Sequence, residues 1–239
     1  MFWCSLVSSL AGRSALPRSY GSCGARVQTF ALVAIALALA LPVRAPAADR
    51  PVRIVALGDS LTAGLGLPVD RAFPAQLERA LKAKGLAVEV INAGVSGDTA
   101  SGGLARLDWS VPEGTDAVIV ELGANDMLRG IDPKVTRQAL DAIVRRLAER
   151  RVVVLLAGMR AAANLGSDYR RDFDTIYSEL AVRHDLLFYP FFLEGVAGEA
   201  GLNQGDGLHP NAMGVDAIVA RILPKLEELI RRVRDKRVM

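Results

Sequence analysis

The 239-residue chain has two cysteines and two histidines. Two cysteines cannot build a disulfide scaffold or a four-cysteine zinc site, and two histidines do not supply a histidine-rich metal centre. Aromatic residues are 5% of the chain, few for a carbohydrate site. The first 48 residues contain no aspartate or glutamate at all; the first acid is Asp49. Charged residues as a whole are not scarce, at 23% against 51% hydrophobic. That balance excludes a disordered chain and suits one domain with a sizeable core.

The acid-free segment has its own pattern. It carries Arg13, Arg18, Arg26 and Arg44, an unbroken apolar run from Phe30 to Leu41, then Pro42 and the small residues Ala45-Pro46-Ala47-Ala48. A basic front, a short apolar run and an A-x-A site are the parts of a secretory signal peptide. Twelve residues of helix reach ~18 Å, short of the ~30 Å hydrocarbon core, which weighs against a stable anchor. Neither Cys4 nor Cys23 follows the apolar run as a lipoprotein would require, and no two arginines are adjacent as twin-arginine export would require. The expectation is a leader over 1–48, cleaved near Ala47/Ala48, and an exported domain over 49–239, periplasmic or secreted, with no stable membrane anchor after cleavage.

That division changes the charge argument. The whole chain has 29 basic and 26 acidic residues, a balance that by itself points to nucleic acid or an anionic membrane. The four arginines of the leader leave 25 basic residues against 26 acidic ones in the domain, a net charge of −1. Nucleic acid is therefore not an expected partner. The basic cluster at Arg231–Arg237 fits the usual preference for cations at a helix C-terminus. Both cysteines go with the leader, so the domain needs no disulfide chemistry.

Over the domain, short β-branched runs alternate with amphipathic segments. Val52–Leu57, Ala87–Ile91, Ala117–Leu122, Val152–Leu156 and Leu186–Tyr189 read as buried strands. Phe73, Leu77, Ala80 and Leu81 share a helical face that Gly85 ends. Asp132-Pro133 opens a second helix, with Leu140, Ile143, Val144 and Leu147 inward. A third spans about Asp168–Arg183. The last is capped by Asn211 and carries Val215, Ile218, Val219, Ile222, Leu226, Leu229, Ile230 and Val233 at three-to-four spacing. Alternation of this kind implies right-handed βαβ units and a single three-layer α/β/α domain around a parallel sheet. Ligands of such sheets bind at the carboxyl ends of the strands.

The chemistry-bearing residues follow the strands. Gly58-Asp59-Ser60-Leu61 puts a hydroxyl at a strand-to-helix turn. Gly97, in Val95-Ser96-Gly97-Asp98, can offer a backbone N–H with no side chain in the way. Asn125, in Gly123-Ala124-Asn125-Asp126, can donate an amide N–H into a crevice. Asp206-Gly207-Leu208-His209 places an acid three residues ahead of a histidine, able to fix its tautomer and stabilise its cation. Each motif alone has an ordinary alternative as a cap or turn. Together they supply a nucleophile, two hydrogen-bond donors and an Asp/His pair, the parts of acyl transfer. His184, between Arg183 and Asp185, reads instead as a surface histidine at a helix end.

These four blocks, in this order, resemble the SGNH or GDSL hydrolase family, named for the Ser, Gly, Asn and His of its motifs. The stretches INAGVSGDTASGGLARL, VELGANDMLRG and YPFFLEGV are similar to its bacterial thioesterase, lysophospholipase and arylesterase group. The resemblance covers about 52–230. It implies a flavodoxin-like five-stranded parallel sheet of order 2-1-3-4-5. It also implies Ser60, Asp206 and His209 as catalytic residues, and the N–H groups of Ser60 and Gly97 with the Asn125 side chain as oxyanion hole. No metal or cofactor is called for. The substrate it implies is a small acyl ester or thioester, with Met127 and Leu128 after the asparagine along the acyl site; Met159, in the apolar loop that follows strand four, is expected to wall the same crevice. A GxSxG elbow is absent around Ser60. Two rivals stand beside this reading: an O-acetyl carbohydrate esterase of the same family, and a non-catalytic flavodoxin-like binding module. Asp59 would repel a phosphate at the loop such a module uses, which disfavours the second.

Overall fold

The computed structural model describes residues 50–238. The leader expected over 1–48 lies outside the described residues. Five strands, β1 (Val52–Gly58), β2 (Val88–Gly94), β3 (Ala117–Glu121), β4 (Val153–Ala157) and β5 (Leu187–Tyr189), form one sheet of order β2-β1-β3-β4-β5. Every neighbouring pair is parallel. This is the α/β arrangement that the alternating pattern predicts, with the strand order that the resemblance implies.

The four long helices are α2 (Phe73–Ala83), α6 (Pro133–Glu149), α7 (Ser167–Arg183) and α8 (Ala212–Val238). Helix α2 packs on α8, and α6 packs on α7, giving a helical layer on each face of the sheet. Their ends follow from local chemistry. Gly85, in left-handed conformation, ends α2 with its N–H on the Lys82 carbonyl and the Leu86 N–H on Leu81, a Schellman closure. Asp132 caps α6 by accepting the Lys134 N–H at 2.9 Å, and Asn211 caps α8 through Met213 and Gly214. The core lies between the layers. Val55, Leu57, Val118, Val120, Leu155 and Leu156 of the central strands are fully buried, with Phe73, Leu77, Leu140, Phe173, Ile222 and Leu226 of the helices. Each such side chain contributes roughly 1.5–3 kcal/mol on leaving water.

Four short helices were not expected from periodicity: α1 (Ser60–Ala63), α3 (Ala100–Ala105) and α5 (Ala124–Leu128) after strands β1, β2 and β3, and α4 (Leu107–Ser110) between α3 and β3. They are too short for a 3.6-residue period to show. Strand β2 also runs to Gly94, three residues beyond Ile91, because Asn92, Ala93 and Gly94 stay paired with Ala56, Leu57 and Gly58 of β1.

That pairing makes the C-terminal edge crowded. A Cβ on Gly58 would lie 2.1 Å from Thr62 Oγ1 and 2.6 Å from Glu121 Oε2. Gly58→Ala is therefore expected to destabilise the domain by about 1–3 kcal/mol, seen as a fall of several degrees in Tm. A melting temperature equal to that of the wild type would show that the edge has slack these distances do not allow.

Candidate active site

Ser60 opens α1, directly after β1. Asp59 caps that helix by accepting the Leu61 N–H at 2.9 Å. The turn leaves Ser60 8% exposed, with its Oγ 2.9 Å from His209 Nε2. On the far side of the imidazole, His209 Nδ1 lies 2.6 Å from Asp206 Oδ2. The other carboxylate oxygen, Oδ1, accepts the N–H groups of Leu208 and His209 at 2.9 and 3.0 Å. Asp206 thus shapes the loop and orients the ring with one side chain. Its carboxyl is held well below the usual carboxylate range, first by the His209 backbone N–H, then by the His209 ring and the Leu208 N–H. An ionised carboxylate only accepts, so Nδ1 carries the proton and Nε2 is left to accept from the Ser60 hydroxyl.

The three sequence-expected donors come from the ends of three adjacent strands. Among the described residues, no acceptor takes the backbone N–H of Ser60 or of Gly97. Gly97 has φ +84°, a conformation that glycine adopts without strain. Asn125, in α5, gives one amide hydrogen to Asp59 Oδ2 at 3.1 Å and keeps the second. The loops are tied together. The Val95 N–H bonds to the Gly58 carbonyl at 3.0 Å, and the Arg129 guanidinium bonds to the Gly97 carbonyl at 2.6 Å.

Arg106 and Glu121 play parts in this edge that local sequence pattern did not reveal, whereas Asp59 and Asp126 hold the loops as acids following strands β1 and β3 are expected to. Arg106, 6% exposed, pairs with Asp98 at 2.6 Å and donates to the carbonyls of Gly58 and Ala93 at 2.9 and 2.8 Å. It clamps the ends of β1 and β2 under the Ser60 and Gly97 loops. Asp126 accepts from the Ala100 N–H and the Thr136 hydroxyl, joining α3, α5 and α6. Asp59 is fully buried and orients the Asn125 amide. Burial pushes its carboxyl up to about 6, against the pull of the Leu61 and Asn125 hydrogen bonds and of His209. Beside it, burial and then the Asp59 charge push Glu121 well above the carboxylate range.

The residues expected along the acyl site divide. Leu128 is 55% exposed, and Met127 is half-buried against the core. Met159 is 3% exposed and packed in the core. It offers the mouth no surface, because the loop after β4 turns its apolar side chain inward. His184 is also more engaged than a surface histidine. It caps α7 and bonds to Asp141 Oδ1 at 2.7 Å, since the α6 and α7 faces meet there. A cavity of about 430 Å³ opens near it, at the N-terminal edge of β4 and β5, lined by Val152, Leu186 and Arg232. It contains none of the Ser60, Gly97, Asn125 or His209 groups. No cluster of three or more metal-ligating side chains occurs among the described residues.

Known proteins resemble this chain over most of the domain. The profile of the GDSL-like Lipase/Acylhydrolase family matches residues 56–217. Esterase TesA of Pseudomonas aeruginosa is 36% identical over 74% of this chain and 89% of its own length. Thioesterase 1/protease 1/lysophospholipase L1 of Escherichia coli is 38% identical over 80% of this chain and 89% of its own. Among solved structures, AlinE4, an SGNH-hydrolase family esterase, superposes with a TM-score of 0.64 at 44% identity, covering 75% of this chain and 96% of that one. The chain belongs to the GDSL-like lipase/acylhydrolase family and is a serine hydrolase acting on carboxylic ester bonds.

Proposed function

We propose that this protein hydrolyses aliphatic acyl esters and thioesters through an acyl-enzyme on Ser60, and that residues 1–48 direct its export. The observation that carries the catalytic reading is the continuous chain Ser60 Oγ, His209 Nε2, His209 Nδ1, Asp206 Oδ2 at 2.9 and 2.6 Å. Ser60 attacks the acyl carbonyl while His209 takes its proton. His209 then gives that proton to the leaving alcohol or thiol. Water, deprotonated by the same imidazole, frees the acid and restores Ser60. Asp206 stabilises the imidazolium. The unspent N–H groups of Ser60 and Gly97 and the second Asn125 amide hydrogen hold the oxyanion.

The loops that carry these groups also carry exposed aliphatic side chains. Val95, Leu128 and Leu208 are 42%, 55% and 53% exposed. Apolar surface at the rim suits an acyl chain better than a sugar. For export, the supporting features are the acid-free basic front, the apolar run and the alanine site. Among the described residues, no helix is long and apolar enough to cross a membrane.

The deciding experiment is a profile of p-nitrophenyl esters from acetate to laurate, with acyl-coenzyme A thioesters and acetylated xylan. Turnover that favours chains longer than acetate, with thioester cleavage and no acetate from xylan, is the expected result. An optimum at acetate with deacetylation of xylan would replace it by the carbohydrate-esterase reading. Asn125→Ala is expected to lower kcat by ~10²–10³ with KM little changed. Unchanged turnover in that variant would remove Asn125 from the oxyanion hole.

A further inference from the structure

Strand β3 carries one acid into the core. Glu121, the last residue of the strand, is 1% exposed and stands in register with Gly58 of β1. Its Oε2 accepts the Thr62 hydroxyl at 2.7 Å and the Asp59 N–H at 3.4 Å. Its Oε1 is buried and has no hydrogen-bond partner among the described residues. The next ionisable group in this network is another fully buried carboxyl, Asp59. Asp59 is bonded to the Leu61 N–H and the Asn125 amide. None of these partners is a cation.

Two neighbouring carboxyls buried without a cation do not both ionise; one keeps a proton. The hydrogen bonds decide which. Asp59 accepts two N–H bonds of 2.9 and 3.1 Å, and such bonds favour its anion. Glu121 accepts one hydroxyl and one long Asp59 N–H, with a weaker pull from the Thr62 N–H, and an anionic Oε1 would be buried with no donor to meet it. A buried neutral acid costs far less than a buried unpaired charge.

We propose that Glu121 is held as a neutral carboxylic acid beneath the nucleophile turn, and that its neutrality leaves Asp59 as the anion that orients the Asn125 amide. Glu121 touches no reacting atom, so its part is positioning. The effect on turnover rests on the assignment of Asn125 to the oxyanion hole; the protonation state does not. Of the charged and titratable groups around the pair, Asp98 works against the Asp59 anion; the others fit the assignment. Asp126 in α5 and Tyr177 on α7 add no positive charge. Arg106, which holds the Gly58 carbonyl, is already paired with Asp98. His209, when it carries the Ser60 proton, favours the Asp59 anion.

Infrared spectroscopy of the full chain with isotope-labelled glutamate tests the proton directly. A protonated-carboxyl stretch at neutral pH, absent from Glu121→Gln, is expected; its absence from the wild type overturns the proposal whether or not the variant folds. Carbonyl NMR of Asp59 provides a second reading. Replacing a neutral acid by a neutral amide leaves the Asp59 titration in place, whereas replacing an anion would move its midpoint down by about one unit or more. In turnover, Glu121→Leu is expected to lose about tenfold or more in kcat with KM kept, and Glu121→Gln to recover most of that loss. If Glu121→Gln is as impaired as Glu121→Leu, the neutral acid is not what positions the turn. Should Asn125→Ala prove harmless while the infrared band is present, the oxyanion assignment fails and the buried proton stands.

Discussion

Ser60→Ala is expected to lower kcat on p-nitrophenyl esters by roughly 10⁵–10⁶-fold and to leave the fold intact. The size of the effect follows from the arrangement of the site. The hydroxyl is the one nucleophile within hydrogen-bond distance of His209 among the described residues. Removing its oxygen takes away the covalent route and leaves binding and oxyanion donors, which by themselves provide a small remnant over water. The stability cost is small because Ser60 Oγ has His209 as its hydrogen-bond partner and fills no cavity in the core. Alanine is also well tolerated at the first position of a helix. Two measurements check this together: a stopped-flow burst of p-nitrophenolate, and a thermal melt. The variant should show no burst and a Tm close to that of the wild type. A stoichiometric burst persisting in purified Ser60→Ala would mean that another side chain is acylated. Labelling by a fluorophosphonate, present in the wild type and lost in the variant, gives the same answer without a chromogenic leaving group.

Asp206→Asn should cost about 10⁴-fold in kcat, for a different reason. The carboxylate accepts three hydrogen bonds: two backbone N–H groups on Oδ1 and His209 Nδ1 on Oδ2. An asparagine can keep its oxygen on the backbone pair only by turning its NH₂ toward Nδ1. The imidazole then accepts at Nδ1 and carries its proton on Nε2, where it can no longer receive the Ser60 proton. The substitution is nearly isosteric and the residue is about half exposed, so the loss appears in turnover and not in stability. The pH profile adds a second check. Because the Asp206 carboxyl is depressed, it stays ionised through neutral and mildly acidic conditions. Any fall in wild-type activity over that range is expected to come from other groups, and Asp206→Asn should lower the plateau of the profile without moving its acid limb. A variant within tenfold of the wild type would show that the carboxylate is not needed to set the tautomer.

What the sequence revealed depends on how far apart the partners lie. Asp206 and His209 are three residues apart, and their pairing is legible in the loop itself. Ser60, Gly97 and Asn125 are legible because each follows an apolar run, and a parallel sheet gathers such positions at one edge. The partners of Glu121 and Asp59 lie at long range: Thr62 is 59 residues from Glu121, and Asn125 is 66 from Asp59. Nothing in Ala117–Leu122 beyond one acid in an apolar strand announces that contact. Arg106 is similar. Its hydrogen bond reaches back 48 residues to Gly58, and in sequence it is an ordinary arginine of an amphipathic stretch. Met159 shows the converse limit, since an apolar residue after a strand may line a crevice or fill the core, and only packing decides.

The hydrogen bond between Ser60 and His209 joins residues 149 apart in the chain, across four of the five strands. His209 stands just before the last helix, α8, which packs against α2. Closing a loop over such a span costs more entropy than closing a local turn. A partly formed chain, with β1 to β3 already paired and the serine in place, is therefore a protein without a base. Until residues 206–209 reach the Ser60 turn, the chain carries its nucleophile unarmed.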